Sequence, residues 1–184
     1  GGIVTRLTNA GKISTRGIEV DLLARPTEAL TLSGGIAYTD AQIDDFRLPP
    51  GSPPTATNRK GETLPFAPKW KASLAAEYVV ADLLPWDVAL NGSVNHTSKQ
   101  AMDLQADPVA RALVTADAYT TFDASIAVYD KDDRYRLTFL VKNLFDRSFP
   151  ATITPGGPGG TIRYFIPREA DRYIGATLRV KFGG

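Results

Sequence analysis

The feature that most constrains this chain is a two-residue alternation of apolar and polar side chains, repeated through about eight separate segments. That is the period of a β-strand, whose successive side chains point to opposite faces, and not the period of a helix. Ile18, Val20 and Leu22 oppose Thr15, Glu19 and Asp21, while Leu30, Leu32, Gly34, Ile36 and Tyr38 oppose Thr31, Ser33, Ala37 and Thr39. Trp70, Ala72, Leu74, Ala76 and Tyr78 oppose Lys71, Ser73 and Glu77, and Trp86, Val88, Leu90 and Val94 oppose Asp87, Asn91, Ser93 and Asn95. Phe122, Ala124, Ile126 and Val128 oppose Thr121, Asp123 and Ser125. The last two segments set Tyr135, Leu137, Phe139 and Val141, then Ile174, Ala176, Leu178, Val180 and Phe182, against Arg134, Arg136, Thr138, Lys142, Thr177, Arg179 and Lys181. A weaker segment, Ile3 to Thr8, precedes them all. The fold class is therefore all-β, with antiparallel strands.

Most segments run to about 10 residues or longer. Globular strands average about 5–6 residues, whereas a tilted strand needs about 9–11 to cross a bilayer. The connections alternate as well. Arg25 to Glu28, Ala81 to Pro85 and Asp130 to Asp133 are short turns. Ala41 to Phe66, Ser98 to Ala116 and Phe145 to Ala170 are long and rich in Gly, Pro and charge, and Asn9-Ala10-Gly11 is the one short link on that side. Short turns at one end and long loops at the other describe a transmembrane barrel of the outer-membrane kind. With the turns at one membrane surface, the apolar phase places Tyr78, Trp86, Tyr135 and Phe182 beside it, and Tyr38, Trp70 and Phe122 at the opposite surface. Amphipathic rings favour the headgroup level, so these read as two aromatic girdles.

Composition removes several function classes. With no cysteine there is neither a disulfide framework nor a thiolate metal site. Lys+Arg 21 against Asp+Glu 20 leaves a net charge of +1, so no basic field points to nucleic acid. No apolar run approaches the roughly 18–20 residues of a membrane helix; Leu74 to Trp86 is interrupted by Glu77, Asp82 and Pro85. The chain starts Gly1-Gly2 rather than Met and shows no signal peptide, which implies a processed or missing start. His96 stands alone, so a structural or interfacial role is expected for it and no metal or cofactor. Pro155 to Gly160 is glycine-rich but lacks the Lys-Ser/Thr of a phosphate loop, and reads as a flexible extracellular loop. Asn95-His96-Thr97 matches a glycosylation pattern by chance. Glu19, Asp21, Glu77 and Asp123 sit on different strands without a His or Ser partner. They are read as a hydrated lumen wall, charge-paired with Arg136 and Arg179, and not as acid–base catalysts; no enzyme is expected. Arg59, Lys60 and Arg111 read as solvated loop charge, the alternative being attraction of an anionic ferric chelate.

Val141-Lys142-Asn143-Leu144-Phe145-Asp146-Arg147 resembles the Asn-Leu-Phe-Asp signature of TonB-dependent outer-membrane receptors, in the penultimate strand and the loop after it. Pro167-Arg168, followed by a last strand closing on the aromatic Phe182, is similar to that family's ending. Asn9-Ala10-Gly11-Lys12, Thr15 to Glu19, Leu64-Pro65, Ala67-Pro68 and Trp70 resemble further family stretches, so that the likeness covers about residues 9 to 182. Together, in order and at family spacing, they form a strong joint signal. The family's barrel has 22 strands, and a plug fills its lumen. The resemblance therefore implies that residues 1–184 are a single barrel domain matching the last eight strands, with the plug and the TonB-interacting segment absent. It implies a bacterial outer-membrane location and a part in uptake of ferric siderophores, cobalamin or similar large nutrients. Energised transport would need a plug and TonB in a full-length parent. Partners are the lipid bilayer, a siderophore ligand and the barrel-assembly machinery, which reads a terminal aromatic; here Gly183-Gly184 follow Phe182.

An open strand edge in lipid leaves amides unpaired at several kcal/mol each, so the chain is either a section of a longer barrel, self-closed by pairing Ile3–Thr8 with Ile174–Phe182, or assembled with other chains. Mostly small side chains on the polar phase suit the wall of a wide lumen and favour the first. Two other readings remain: a self-closed eight-stranded membrane barrel with a structural or passive-pore role, and a soluble β-barrel module that turns Tyr78, Trp86 and Tyr135 inward around an apolar ligand.

Overall fold

The computed structural model describes residues 11–47, 59–83, 85–105, 107–156 and 160–182. Seven long strands carry the fold: β1 (Gly11–Ala24), β2 (Leu30–Phe46), β3 (Trp70–Leu83), β4 (Trp86–Thr97), β7 (Tyr119–Asp130), β8 (Tyr135–Lys142) and β11 (Tyr173–Val180). Between them, the long connections hold two small ribbons, β5 (Gln100–Ala101) with β6 (Thr115–Ala116) and β9 (Thr152–Pro155) with β10 (Ile162–Phe165), plus a short helix α1 (Pro108–Leu113). The long strands form one antiparallel sheet, each hydrogen-bonded to the next in sequence, in the order β1-β2-β3-β4-β7-β8-β11. The expected eighth segment, Ile3–Thr8, and its proposed closure onto the last strand lie outside the described residues. Among the described residues no ladder joins β1 to β11, and each pairs with a neighbour on one side only.

The register carries the alternation across the whole sheet. Directly opposed residues of an antiparallel pair share a face. Ile18 stands opposite Tyr38, and Tyr38 opposite Trp70. Gly34, Leu74, Val94 and Phe122 form a second row, and Leu90, Ile126, Phe139 and Ala176 run through a third. One face is thus apolar over all seven strands, and its large side chains, Ile18, Val20, Leu74, Leu90, Ile126, Leu137, Phe139, Ile174 and Leu178 among them, are exposed. Two hollows of the sheet lie on the other face. One of about 710 Å³ is bordered by Glu19, Asp21, Ser33, Ser73, Ser93 and Asn95, and a second of about 480 Å³ by Thr31, Glu77, Asn91, Asp123, Ser125 and Thr138.

The strand β2 is longer than the sequence implies. Ala41 to Phe46, expected as the start of a loop, continue the ladder to Gly11, across a bulge at Lys12/Ile13. Here the alternation inverts. Asp40, Gln42 and Asp44 occupy the phase that is apolar lower down, while Ala41 and Ile43, on the opposite phase, are only 3% and 4% exposed. They are covered by residues 61–64, whose backbone pairs with Ala41 and Ile43. An apolar outer surface is favourable only against lipid; above it the outside is water and apolar groups turn inward. The inversion just beyond Tyr38 marks the edge of the apolar band.

The described residues hold one hydrophobic cluster of buried side chains, and it is not in the sheet. Met102, Val114, Ala116 and Ile153, with Ile162 packed against them, join the two loop ribbons into a cap beyond the long-loop ends of the strands.

Candidate functional site

The register places Glu19, Asp21, Glu77, Asp123, Arg136 and Arg179 on the polar face, opposite Ala37, Gly35, Thr31, Ser93, Tyr129 and Arg136 in turn. They do not form the expected charge pairs. Arg136 and Arg179 both bind Asp133, in the turn between β7 and β8, with Arg136 Nε at 2.7 Å and Lys181 Nζ at 3.1 Å on the same carboxylate. Arg136 also lies 4.0 Å over the Tyr129 ring. The hydrogen bond from Arg136 is the largest cause that holds the Asp133 carboxyl well below the usual carboxylate range; burial opposes it, and the hydrogen bonds from Lys181 and Arg179 add to the lowering. Asp133 takes a positive φ of 48°, which the turn needs and Asp tolerates. The sequence marked it only as a turn residue, because its partners come from β8 and from the chain end, brought together by register alone.

Asp123 instead pairs with Lys142 at 2.7 Å and accepts the backbone N–H of Asn143 at 2.9 Å. Glu19, Asp21 and Glu77 make no ion pair among the described residues and face the two hollows. The larger hollow is bordered by Glu19 and Asp21 together with Lys71, while the basic groups of β8 and β11 at the short-turn end converge on Asp133.

The Asn-Leu-Phe-Asp stretch anchors the loop side. Asn143, 2% exposed, adopts φ of 49° where β8 ends. Its carboxamide donates to the carbonyls of Arg147 at 3.1 Å and Ala170 at 3.0 Å, and its Oδ1 accepts Arg147 N–H at 2.9 Å. An Asn is suited to this: it tolerates the left-handed region and supplies both donors and an acceptor. Asp146, with φ of 55°, accepts the N–H of Arg172 at 2.8 Å, and Leu144 N–H bonds Phe122 O at 2.7 Å. Pro167 precedes a single 3₁₀ turn, Arg168–Ala170, whose Ala170 is the residue that Asn143 holds. The signature is thus a clamp tying the end of β8 to the entry of β11. Phe145 packs edge-on against Phe122, centroids 5.1 Å apart, and Tyr38 leans on Trp70 at 4.8 Å. Trp70, Tyr78, Trp86, Tyr135 and Phe182 are exposed on the apolar side, near the strand ends where the girdles were expected.

On the loop side, a cavity of about 370 Å³ is bordered by Trp70, Ser98, Lys69, Lys99, Glu62 and Arg111. Arg111 is not the solvated loop charge expected: its guanidinium binds Glu62 Oε1 at 2.6 Å and the Gln105 carbonyl at 3.0 Å. Arg59 lies 5.7 Å over the Phe46 ring. Lys69 and Lys99, which composition did not single out, are exposed and make no ion pair among the described residues. His96 sits on the apolar face opposite Ala72, its Nδ1 2.9 Å from Thr120 Oγ1. The flanks of the Pro155–Gly160 stretch are the arms of the β9–β10 hairpin, and its centre lies outside the described residues.

Residues 1–144 match the family model described as "TonB dependent receptor-like, beta-barrel". The fold is similar to that of the ferric yersiniabactin uptake receptor FyuA from Yersinia pestis, with a TM-score of 0.75 and 20% identity over 95% of this chain. The siderophore receptor PiuA and the ferric preacinetobactin receptor BauA, both from Acinetobacter baumannii, match at TM-scores of 0.65 and 0.60, with 19% and 22% identity over 91% of this chain in each case. This chain spans 24%, 21% and 22% of those three receptors respectively.

Proposed function

This chain belongs to the TonB-dependent receptor-like β-barrel family, and from that premise we propose that it is a section of the wall of a bacterial outer-membrane receptor that takes up ferric siderophores or similarly large nutrients. The observation that carries the reading is the apolar face, continuous across seven strands and bounded by aromatic rings, set against a hollowed polar face. Lipid outside and water inside account for both. Among the described residues β1 and β11 each pair on one side only, which fits a section that pairs with further strands of a wider barrel, since unpaired amides in hydrocarbon cost several kcal/mol each. The family and fold are those of transport receptors.

On this reading residues 1–184 form one barrel domain section whose polar face lines the lumen, Glu19, Asp21, Glu77, Asp123, Arg136 and Arg179 included. Energised transport requires a plug and TonB acting on the assembled receptor, and the barrel-assembly machinery inserts it. A soluble module would turn Tyr78, Trp86 and Tyr135 toward an enclosed cavity. Against that, hollows of about 710 and 480 Å³ lie on the opposite face of the sheet.

The test is uptake in an iron-starved bacterium with and without the gene for this protein, supplying ⁵⁵Fe as a ferric hydroxamate, a ferric catecholate or a ferric phenolate–thiazoline chelate, with radiolabelled cobalamin as a fourth probe. Loss of accumulation of one probe on deletion supports the reading. Unchanged accumulation of all four, with a protein that is monodisperse without detergent, overturns it.

A further inference from the structure

The register of the last strand is not specified by its own ladder. On the apolar face β8 and β11 set Leu137 against Leu178, Phe139 against Ala176 and Val141 against Ile174. Ile174 and Leu178 are exposed, so no packed neighbour fixes their position along the strand. A slip of one residue would turn every side chain to the wrong face, but a slip of two keeps each phase on its own face. Lipid does not choose between such registers, since it is as apolar as leucine. Elsewhere tight turns join β3 to β4 and β7 to β8, and a bulge at Lys12/Ile13 marks the ladder of β1 with β2. Turns and bulges pin register. The β8–β11 ladder shows no irregularity, and its strands are joined by the long connection from Asn143 to Arg172.

Both ends of β11 are instead held by side chains from the two ends of β8. At the entry, Asn143 Nδ2 donates to Ala170 O at 3.0 Å, and Asp146 accepts the N–H of Arg172 at 2.8 Å. Ala170 closes the 3₁₀ turn after Pro167, which ties these backbone groups to one place in the sequence. At the exit, Asp133 binds Arg179 and Lys181, with Lys181 Nζ at 3.1 Å, and Lys181 N–H donates to Arg134 O at 2.9 Å. Asp133, Asn143 and Asp146 have φ of 48°, 49° and 55°, and Phe66 is the only other non-glycine residue with a positive φ among the described residues. Left-handed backbone is unusual at such positions even though Asn and Asp tolerate it, and here it gathers where β11 is received. We propose that Asp133, Asn143 and Asp146 are a pair of brackets that select the register of the last strand. A slip of two in either direction leaves Asp133 with one of the cations Arg179 and Lys181, and carries Ala170 O and Arg172 N–H away from their partners. Since the stagger between strands sets the shear of a barrel, the brackets also fix what this seam contributes to that shear.

The inference rests on the apolar face meeting lipid, and the experiment separates the two. This chain has no cysteine, so paired cysteines introduced into it report register directly. Thr138→Cys/Thr177→Cys joins two residues opposed in the present register. Leu140→Cys/Thr177→Cys and Thr138→Cys/Gly175→Cys join residues that are opposed only after a slip of two, in one direction or the other. Diagonal neighbours lie about 7–8 Å apart, beyond the roughly 3.5–4.5 Å that a disulfide spans between Cβ atoms. The receptor containing this chain is oxidised in fractionated cells, and its cross-linked peptides are counted by mass spectrometry. With the brackets intact we expect the first pair to dominate. Asn143→Ala with Arg179→Gln/Lys181→Gln should raise the slipped pairs roughly tenfold relative to the first, since a hydrogen bond to a charged group is worth about that factor or more. Asp133→Asn, a milder change, should shift the ratio in the same direction by less, and carries the test where the triple variant fails to fold. An unchanged ratio overturns the brackets, because the ladder then sets its own register. Slipped pairs as abundant as the first in the otherwise unaltered protein overturn them too. Recovery of that protein in the soluble fraction overturns the lipid-facing reading instead, whatever the ratio.

Discussion

The sheet and the loop layer hold together by different means. In the sheet the large apolar side chains are exposed, the strands are long, and the order comes from ladders between neighbours in sequence. In the loop layer the strands have two to four residues, yet Met102, Val114, Ala116 and Ile153 are buried as in a water-soluble core. The difference follows from the solvent. A strand facing lipid gains nothing by hiding its apolar side, whereas a loop in water must bury its apolar groups to be ordered at all. Ala41 and Ile43 on β2 show the change within one element, where the buried phase switches from one face to the other.

Ile153→Ala, at 2% exposure in the centre of the cap, should have the largest effect, about 2–5 kcal/mol, confined to the loop layer. Faster amide exchange in β5, β6, β9 and β10 with an unchanged heat-modifiable gel shift would show that cap and sheet are separate cooperative units; simultaneous loss of the gel shift would merge them. Next, Leu137→Arg on the apolar face should cost about 2–4 kcal/mol if it meets the bilayer near mid-plane, and Thr138→Arg, one residue on and on the other face, much less. Equal losses in urea unfolding from lipid vesicles would contradict the division of faces.

Asn143→Ala tests the joint between the two regions. It leaves three backbone groups at Arg147 and Ala170 without their partner and places Ala at a positive φ, for about 2–3 kcal/mol. Increased protease cleavage between Asn143 and Arg172 is the expected readout, with β1–β4 unaffected. The smallest effect belongs to Asp133→Asn. Because Asp133 has its pKa lowered in the folded protein, its contribution is present above the unfolded value of about 3.9 and is lost as pH falls through the lower folded value. The variant should therefore unfold with less dependence on pH below about 4. At high salt the two proteins should converge, since the group is solvent-facing and screened. A large difference at neutral pH and high salt would mean that Asp133 holds the last strand in register by more than charge.

Much of this molecule was legible without coordinates. Period-2 alternation identifies the strands, because one register places every second side chain on one face, and the lengths of the turns order the two ends. The polar-face residues and the placement of Tyr78, Trp86 and Tyr135 on the apolar face near the strand ends follow from that phase alone. The alternation also reported the boundary at Tyr38, but Ala41 to Phe46 looked like a loop, since apolar groups there sit on the phase that is polar lower down. What only the tertiary structure decided are contacts between residues far apart in the chain. Asp133 gathers Arg136, Arg179 and Lys181 because β11 returns beside β8, and Asn143 reaches Ala170 across the loop it clamps. Arg111 is neutralised by Glu62 from another connection. Local periodicity is set by the geometry of one strand and so is written in one segment of sequence. Charge pairing and cavities depend on which segments the ladders bring together, and that is fixed only when the sheet forms.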